Sequence, residues 1–225
     1  MTTKTLALDG PAGSGKSSVS RAVAQSLGWG MLDTGAMYRA ITWAVLHARV
    51  DLNDAAAISQ QAAGTTILAT TDPINFSISA NGHDVTSAIR SPEVTAAVSA
   101  VSAVPFVREL LVKLQRAAVA ASGVGIVVEG RDIGTVVLPD SALKVFLTAS
   151  PEARARRRSL EVDPEADAKT IADTQQAISV RDAKDTGREH SPLKPAADSQ
   201  ILDTSDLTLD QVVDQLVQMA HRAYP

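Results

Sequence analysis

A short apolar run, Thr5 to Asp9, breaks into Gly10-Pro11-Ala12-Gly13-Ser14-Gly15-Lys16-Ser17-Ser18, and a helical pattern follows from Ser17 with Val19, Ala22, Val23 and Leu27 on one face. The order reads as a buried strand, a Gly-rich turn and a helix closed by Gly28. The spacing G-x-x-x-x-G-K-S lets backbone N–H groups wrap a phosphate, while Lys16 and the helix N-terminus supply positive charge. Ser17 is then placed to reach a magnesium ion. An ordinary strand-to-helix turn explains the glycines but not the Lys-Ser pair behind them.

The same alternation continues along the chain. Gly30 to Leu32 reads as a second short strand and Ala36 to Ala48 as a deeply buried helix, followed by an Ala-rich helix over Asp54 to Gly64. From Thr65 to Ile89 the texture turns β-branched and alternating, with Asn81-Gly82 as a type I′ hairpin turn, which predicts a small antiparallel insert. Ser91-Pro92 opens one helix, and Pro105 opens another that runs to about Ser122. Gly125–Glu129 and Leu143–Leu147 are further buried-strand candidates. Ala153 to Arg188 is mostly helix-prone, broken near Asp163-Pro164; Ile201–Asp203 is a last strand, and Thr208 with Gln211 makes a capping box. Strands alternating with helices predict a parallel sheet covered on both faces.

The 225 residues, 45% of them hydrophobic, suffice for one core with an appendage and exclude disorder as the dominant state. With 21 basic and 25 acidic residues the net charge is -4, which argues against a partner role on nucleic acid or a membrane surface. Any anion site must be local. No cysteine is present, so a disulfide framework, a thiolate nucleophile and a Cys-based metal site are excluded. The N-terminal apolar run is too short for a signal peptide and no stretch is long enough to span a bilayer, so a cytoplasmic protein is expected. The histidines at 47, 83, 190 and 221 lack metal-ligand spacing, and Trp29 and Trp43 are assigned to the core.

A phosphate-binding turn does not say what is done with the phosphate. None of the seven lysines is followed two positions on by Asp, so the guanine-reading N-K-x-D motif is missing, and no apolar strand ends in an adjacent Asp-Glu pair of hydrolytic type. Arginines at 39, 108, 131, 154, 157, 181 and 188 exceed what one triphosphate requires, which implies a second anionic ligand. Arg131 and Asp132 follow a strand at its C-terminal end, where open parallel sheets bind ligands. Asp33 to Arg39 sits at a strand-helix junction, with Thr34 a candidate N-cap. Helical spacing groups Arg154, Arg157 and Arg158 apart from Arg156, and with no interleaved aromatics these fit a phosphate-gripping lid. Arg181, Asp185 and Arg188 fall on one helical stripe, where Asp185 either holds both arginines or reaches a sugar hydroxyl.

Taken together, LALDGPAGSGKSS, LDTGAMYR, EGRDIGTVV-P and RD-KD--R in this order resemble the cytidylate kinase family of P-loop nucleoside monophosphate kinases, over essentially the whole chain. The resemblance implies a three-layer α/β P-loop fold with a central five-stranded parallel sheet, a core over 1–33, 123–150 and 189–225, a monophosphate-binding region with its β insert over 34–122, and a helical lid over 151–188. It implies transfer of a phosphoryl group from ATP to CMP or dCMP with Mg2+, by a monomer. By matching motif, Gly10 to Ser18 hold the ATP phosphates, with Arg154 and Arg157 as lid arginines. Thr34, Ser99, Arg108 and Asp132 surround the cytosine, Tyr38 belongs to the CMP site, and Arg181 and Asp185 read the sugar. Arg39, Arg131 and Arg188 surround the acceptor phosphate; Lys16, Arg131 and Arg188 act in catalysis. A kinase for another nucleotide, shikimate or dephospho-coenzyme A, and an ATP-dependent switch protein, are the alternatives.

Overall fold

The strand and helix flanking the Gly-rich turn are β1 (Thr5–Asp9) and α1 (Lys16–Leu27) in a computed structural model that describes residues 3–225. The chain continues as β2 (Gly30–Asp33), α2 (Thr34–His47) and α3 (Ala55–Ala63). The insert follows as β3 (Ile67–Ala69), β4 (Ile78–Ala80) and β5 (His83–Asp84), a separate antiparallel sheet. Its turn carries φ 50° at Asn81 and 79° at Gly82, both left-handed as a type I′ hairpin needs. Then come α4 (Pro92–Ala103), capped by Ser91 Oγ on the Val94 amide at 3.3 Å, and α5 (Pro105–Ala120). β6 (Ile126–Gly130) leads through a π-helical turn at Ile133–Val137 into β7 (Leu143–Thr148). α6 (Pro151–Val162) and α7 (Ala168–Thr186) precede β8 (Gln200–Asp203) and α8 (Leu209–Ala223), whose capping box at Thr208 and Gln211 is formed.

The five parallel strands lie in the order β2-β6-β1-β7-β8. β1 is central, and Leu6, Ala7 and Leu8 are fully buried because helices cover both faces. On one face Leu6, Leu8, Val127 and Val145 pack with Val23 of α1 and Leu216 of α8. On the other, Ala7, Leu32 and Val128 pack with Ile41 of α2, Val101 of α4 and Leu111 of α5. Trp29 meets Tyr224 edge-on with ring centroids 5.8 Å apart, and Trp43 stacks on His47 at 4.8 Å, both against core residues as expected.

Among the described residues no single helix is long and apolar enough to cross a membrane; the bent pair α4–α5 passes that test only jointly, and its Val98, Val101, Val107 and Leu111 are core residues. Parallel register puts Asp9 beside Gly130 and Asp33 beside Glu129. The acidic ends of three strands therefore share one rim, where an open α/β sheet binds its ligands.

Candidate active site

The phosphate loop is built by sterics before charge. A Cβ on Gly10 would lie 2.1 Å from the Leu147 carbonyl oxygen, so no side chain fits where the loop leaves the sheet. Gly15, at the N-cap of α1, is left-handed with φ 84° and offers no side-chain cap, which leaves the first amides of the helix for an anion. Lys16 is buried, and its Nζ donates to the Pro11 carbonyl at 2.7 Å and to Ser14 Oγ at 3.2 Å. Burial first, then the charge of Arg131, pushes its pKa well down.

Ser17 Oγ donates to Glu129 Oε2 at 3.1 Å, while Glu129 Oε1 is buried without a protein partner. Burial and the neighbouring Asp33 push the Glu129 carboxyl up. A hydroxyl and two carboxylates at one rim are hard oxygen donors of the kind Mg2+ takes. The orphaned Oε1 fits that ion or one of its waters.

The turn after β6 sets the next group. Asp132 begins the π-helical turn but does not cap it with its own side chain. Asp9 does so instead, accepting the Ile133 amide on Oδ1 and the Gly134 amide on Oδ2, each at 2.8 Å. Asp132 is thereby free to take Arg108 Nη2 at 2.6 Å, an ion pair with side chains only 5% and 6% exposed. Arg108 also donates to the Ser102 carbonyl at 3.1 Å and lies 5.3 Å from the centre of the Tyr38 ring. Burial pushes the Tyr38 hydroxyl up to about 12.

Arg131 Nε donates to Asp185 Oδ2 at 3.1 Å, and Arg188 Nη2 pairs with Asp185 Oδ1 at 2.7 Å. Asp185 thus joins Arg131 and Arg188. The expected stripe of Arg181 and Arg188 is corrected: Gly187 closes α7, and Arg188 reaches Asp185 from beyond the helix. Arg181 Nε is buried without a protein partner, and burial followed by the charges of Arg131 and Arg39 pushes its pKa down to about 10. Burial does the same to Arg39, whose Nη1 donates to the Ile89 carbonyl at 3.1 Å and Thr95 Oγ1 at 2.9 Å. Both stay cationic at neutral pH, and their mutual repulsion is relieved by an anion.

Thr34 does not cap α2, contrary to the expectation. The Asp33 carboxylate takes the Ala36 amide at 2.9 Å, and Thr34 Oγ1 donates to the Glu129 carbonyl at 2.7 Å, tying α2 to β6. A cleft of about 790 Å³ is lined by Lys16, Ser17, Arg39, Ser99, Arg131 and Arg181, among others. Tyr38, Arg108, Asp132, Asp185 and Arg188 do not line it and form the paired layer described above. The arginines of α6 separate. Arg157 donates to Thr204 at the end of β8, through Nη1 to Oγ1 at 2.9 Å, and Arg154 donates to the Ala12 carbonyl at 3.1 Å. Arg158, paired with Glu161 at 2.8 Å, is the arginine of this group that lines the cleft. Arg158 is one of the three arginines that helical spacing groups, whereas nothing in the sequence singles out Glu129 and Asp33 as site residues. Only the strand order reveals that Asp33, Glu129 and Ser17 converge.

A phosphate loop at the rim of a parallel sheet, sharing one cleft with a second set of cations, defines a P-loop kinase. The cytidylate kinase family model matches residues 6–222, and the chain belongs to that family. It is 53% identical over 214 residues to the cytidylate kinase of Streptomyces griseus, covering 95% of this chain and 91% of that one. The cytidylate kinase of Nocardia farcinica is 52% identical over 211 residues, covering 94% and 90%. Among solved structures, an uncharacterized protein from Eubacterium ventriosum superposes with a TM-score of 0.51 at 11% identity, covering 98% of this chain and 99% of that one, which is a likeness of fold alone.

Proposed function

We propose that the chain transfers the γ-phosphoryl group of ATP to CMP or dCMP. The observation that carries this reading is one cleft lined both by the phosphate loop with Lys16 and by Arg39, Arg131 and Arg181. Two polyanions can be brought together there without meeting unscreened repulsion.

The nucleophile is a phosphate oxygen of the acceptor, already anionic near neutral pH, so the reaction needs no general base. Catalysis is alignment of the in-line attack and neutralisation of charge on the transferred group. Lys16, Arg131 and Arg188 do this, with Arg39 steadying the acceptor phosphate. Thr34, Ser99, Arg108 and Asp132 form the base side, with Tyr38 in the CMP site against Arg108, and Arg181 and Asp185 form the sugar side. Arg154 and Arg157 belong to the ATP side through the phosphate loop and the end of β8. Ser17, with Glu129 and Asp33 behind it, would hold Mg2+, which supplies charge neutralisation on the ATP phosphates when bound.

The core is assigned to 1–33, 123–150 and 189–225, the monophosphate-binding region to 34–122 and the lid to 151–188. Closure of the lid excludes water, which would otherwise compete as acceptor. A monomer acting in the cytoplasm fits small-molecule substrates, a net charge of -4 and a sequence without cysteine.

The test is ADP release from Mg-ATP against CMP, dCMP, UMP, AMP, GMP and shikimate, with a no-acceptor control. Turnover with CMP and dCMP and little without acceptor is the expected result. Preference for another acceptor, or turnover with none, overturns the reading.

A further inference from the structure

The phosphate loop is also held from outside, at the Ala12 peptide. The Ala12 amide donates to Asp182 Oδ1 at 3.0 Å, and the Ala12 carbonyl accepts from Arg154 Nη1 at 3.1 Å. Arg154 and Asp182 are in turn ion-paired, with side chains only 11% and 16% exposed. The three groups close a ring joining the loop, α6 and α7. The fit is tight: a Cβ on Gly13 would meet the Arg154 carbonyl oxygen at 2.8 Å.

Such a ring has a physical reason. A loop with glycines at 10, 13 and 15 has more backbone freedom than other sequences, yet its N–H groups stabilise charge only if they already point at it. Lys16 and Ser14 tie to Pro11 from within the loop, whereas Asp182 and Arg154 tie Ala12 to elements outside it.

The position of Asp182 adds a second consequence. It stands in α7 next to Arg181, which lines the cleft, and three residues before Asp185, which holds Arg131 and Arg188. One helix therefore grips the phosphate loop with one side chain and the arginines of the acceptor side with another.

We infer that Asp182 is a positioning residue that sets the phosphate loop for ATP through Ala12 and Arg154, and that through α7 it makes ATP binding depend on whether the acceptor side is filled. The inference rests on the reading of the cleft as an ATP and CMP site. Asp182 touches neither substrate; it acts on the orientation of loop amides and on the placement of Arg154. The filled acceptor side fixes Arg181 and Asp185, hence α7, and hence the loop.

The experiment compares the wild type with Asp182→Asn, Asp182→Ala and the exposed control Asp173→Asn. Steady-state kinetics in ATP and in CMP are combined with titration of a non-hydrolysable ATP analogue, with and without CMP, and of CMP, with and without the analogue. Wild-type turnover of CMP checks the underlying reading independently of any variant. The expected result is a KM for ATP raised about tenfold in Asp182→Ala, as loss of charge-assisted hydrogen bonds implies, and less in Asp182→Asn, which keeps an acceptor for the Ala12 amide. The affinity for CMP without the analogue stays within about twofold, while the tightening of the analogue by CMP expected in the wild type shrinks toward none, with a matching loss of CMP affinity at saturating analogue. Asp173→Asn leaves all three unchanged. A loss of CMP affinity without the analogue as large as the loss for ATP, an unchanged KM for ATP, no tightening of the analogue by CMP in the wild type, or tightening as large in Asp182→Asn as in the wild type each overturn the inference. Thermal unfolding accompanies each variant. If Asp182→Ala fails to fold, Asp182→Asn decides the matter by the same analogue titration.

Discussion

The Asp9 carboxylate and the Gly134 amide, 125 residues apart in sequence, are joined by a 2.8 Å hydrogen bond at the heart of the site. With its partner bond to Ile133 it caps a turn whose own first residue, Asp132, is engaged elsewhere. Burial nonetheless pushes the Asp9 carboxyl up to about 6 from 3.8, so the folded protein holds a proton that the unfolded chain releases earlier. The contribution to stability is full below about pH 4, falls as pH rises toward 6, and is constant above. Asp9→Asn has no such titration. The stability gap between wild type and this variant should therefore change by roughly 2–3 kcal/mol between pH 4 and pH 6.5 and then level off, as read by urea unfolding at several pH values. A gap independent of pH contradicts the assignment.

For Arg108 and Asp132 the cost lies in breaking the pair, not in lacking it. Asp132→Ala leaves a buried guanidinium uncompensated and should destabilise the protein by about 3–5 kcal/mol. Arg108→Met combined with Asp132→Leu should recover most of that loss, since paired removal of a buried ion pair is often neutral. Neither variant should bind CMP as the wild type does. Urea unfolding and CMP calorimetry on the same preparations separate the two effects.

Asp185→Ala frees both Arg131 and Arg188. Two charge-assisted hydrogen bonds at a largely buried site predict a rise in the KM for CMP on the order of a hundredfold. The KM for ATP should move by less than about threefold, in contrast to Asp182 only three residues away. Unchanged CMP kinetics in Asp185→Ala would remove it from the acceptor side.

Lys16→Ala should lower kcat by on the order of a hundred- to a thousandfold, the usual consequence of losing one donor aimed at developing charge. Lys16→Arg should not restore it, because Lys16 is only 7% exposed and the broader guanidinium does not fit the space between Pro11 and Ser14. Single-turnover measurements show whether the loss is in the chemical step.

Much of the fold is legible in local chemistry. Asn81-Gly82 dictates its hairpin because only a left-handed pair closes that turn, and Pro92 and Pro105 start α4 and α5 because proline suits a first helical turn. The phosphate loop is legible for the same reason. What escapes is which side chain meets which. Asp33 and Thr34 are both good caps, and sequence does not say that a tertiary bond to the Glu129 carbonyl claims Thr34. Arg154, Arg157 and Arg158 share a helix face, yet they part toward the loop, β8 and the cleft because three different elements lie within their reach. The π-helical turn at Ile133–Val137 depends on a cap from Asp9, which no local pattern announces.

The cleft also has a long-range role. Seven basic and four acidic side chains line it, in a molecule whose net charge is -4, so a positive mouth opens within a negative exterior. Field lines focus where low-dielectric walls enclose one sign of charge, raising the local concentration of small anions before any contact forms. Nucleotide capture should therefore be faster than shape alone permits and should slow as added salt shortens the reach of that field to about 10 Å at 0.1 M.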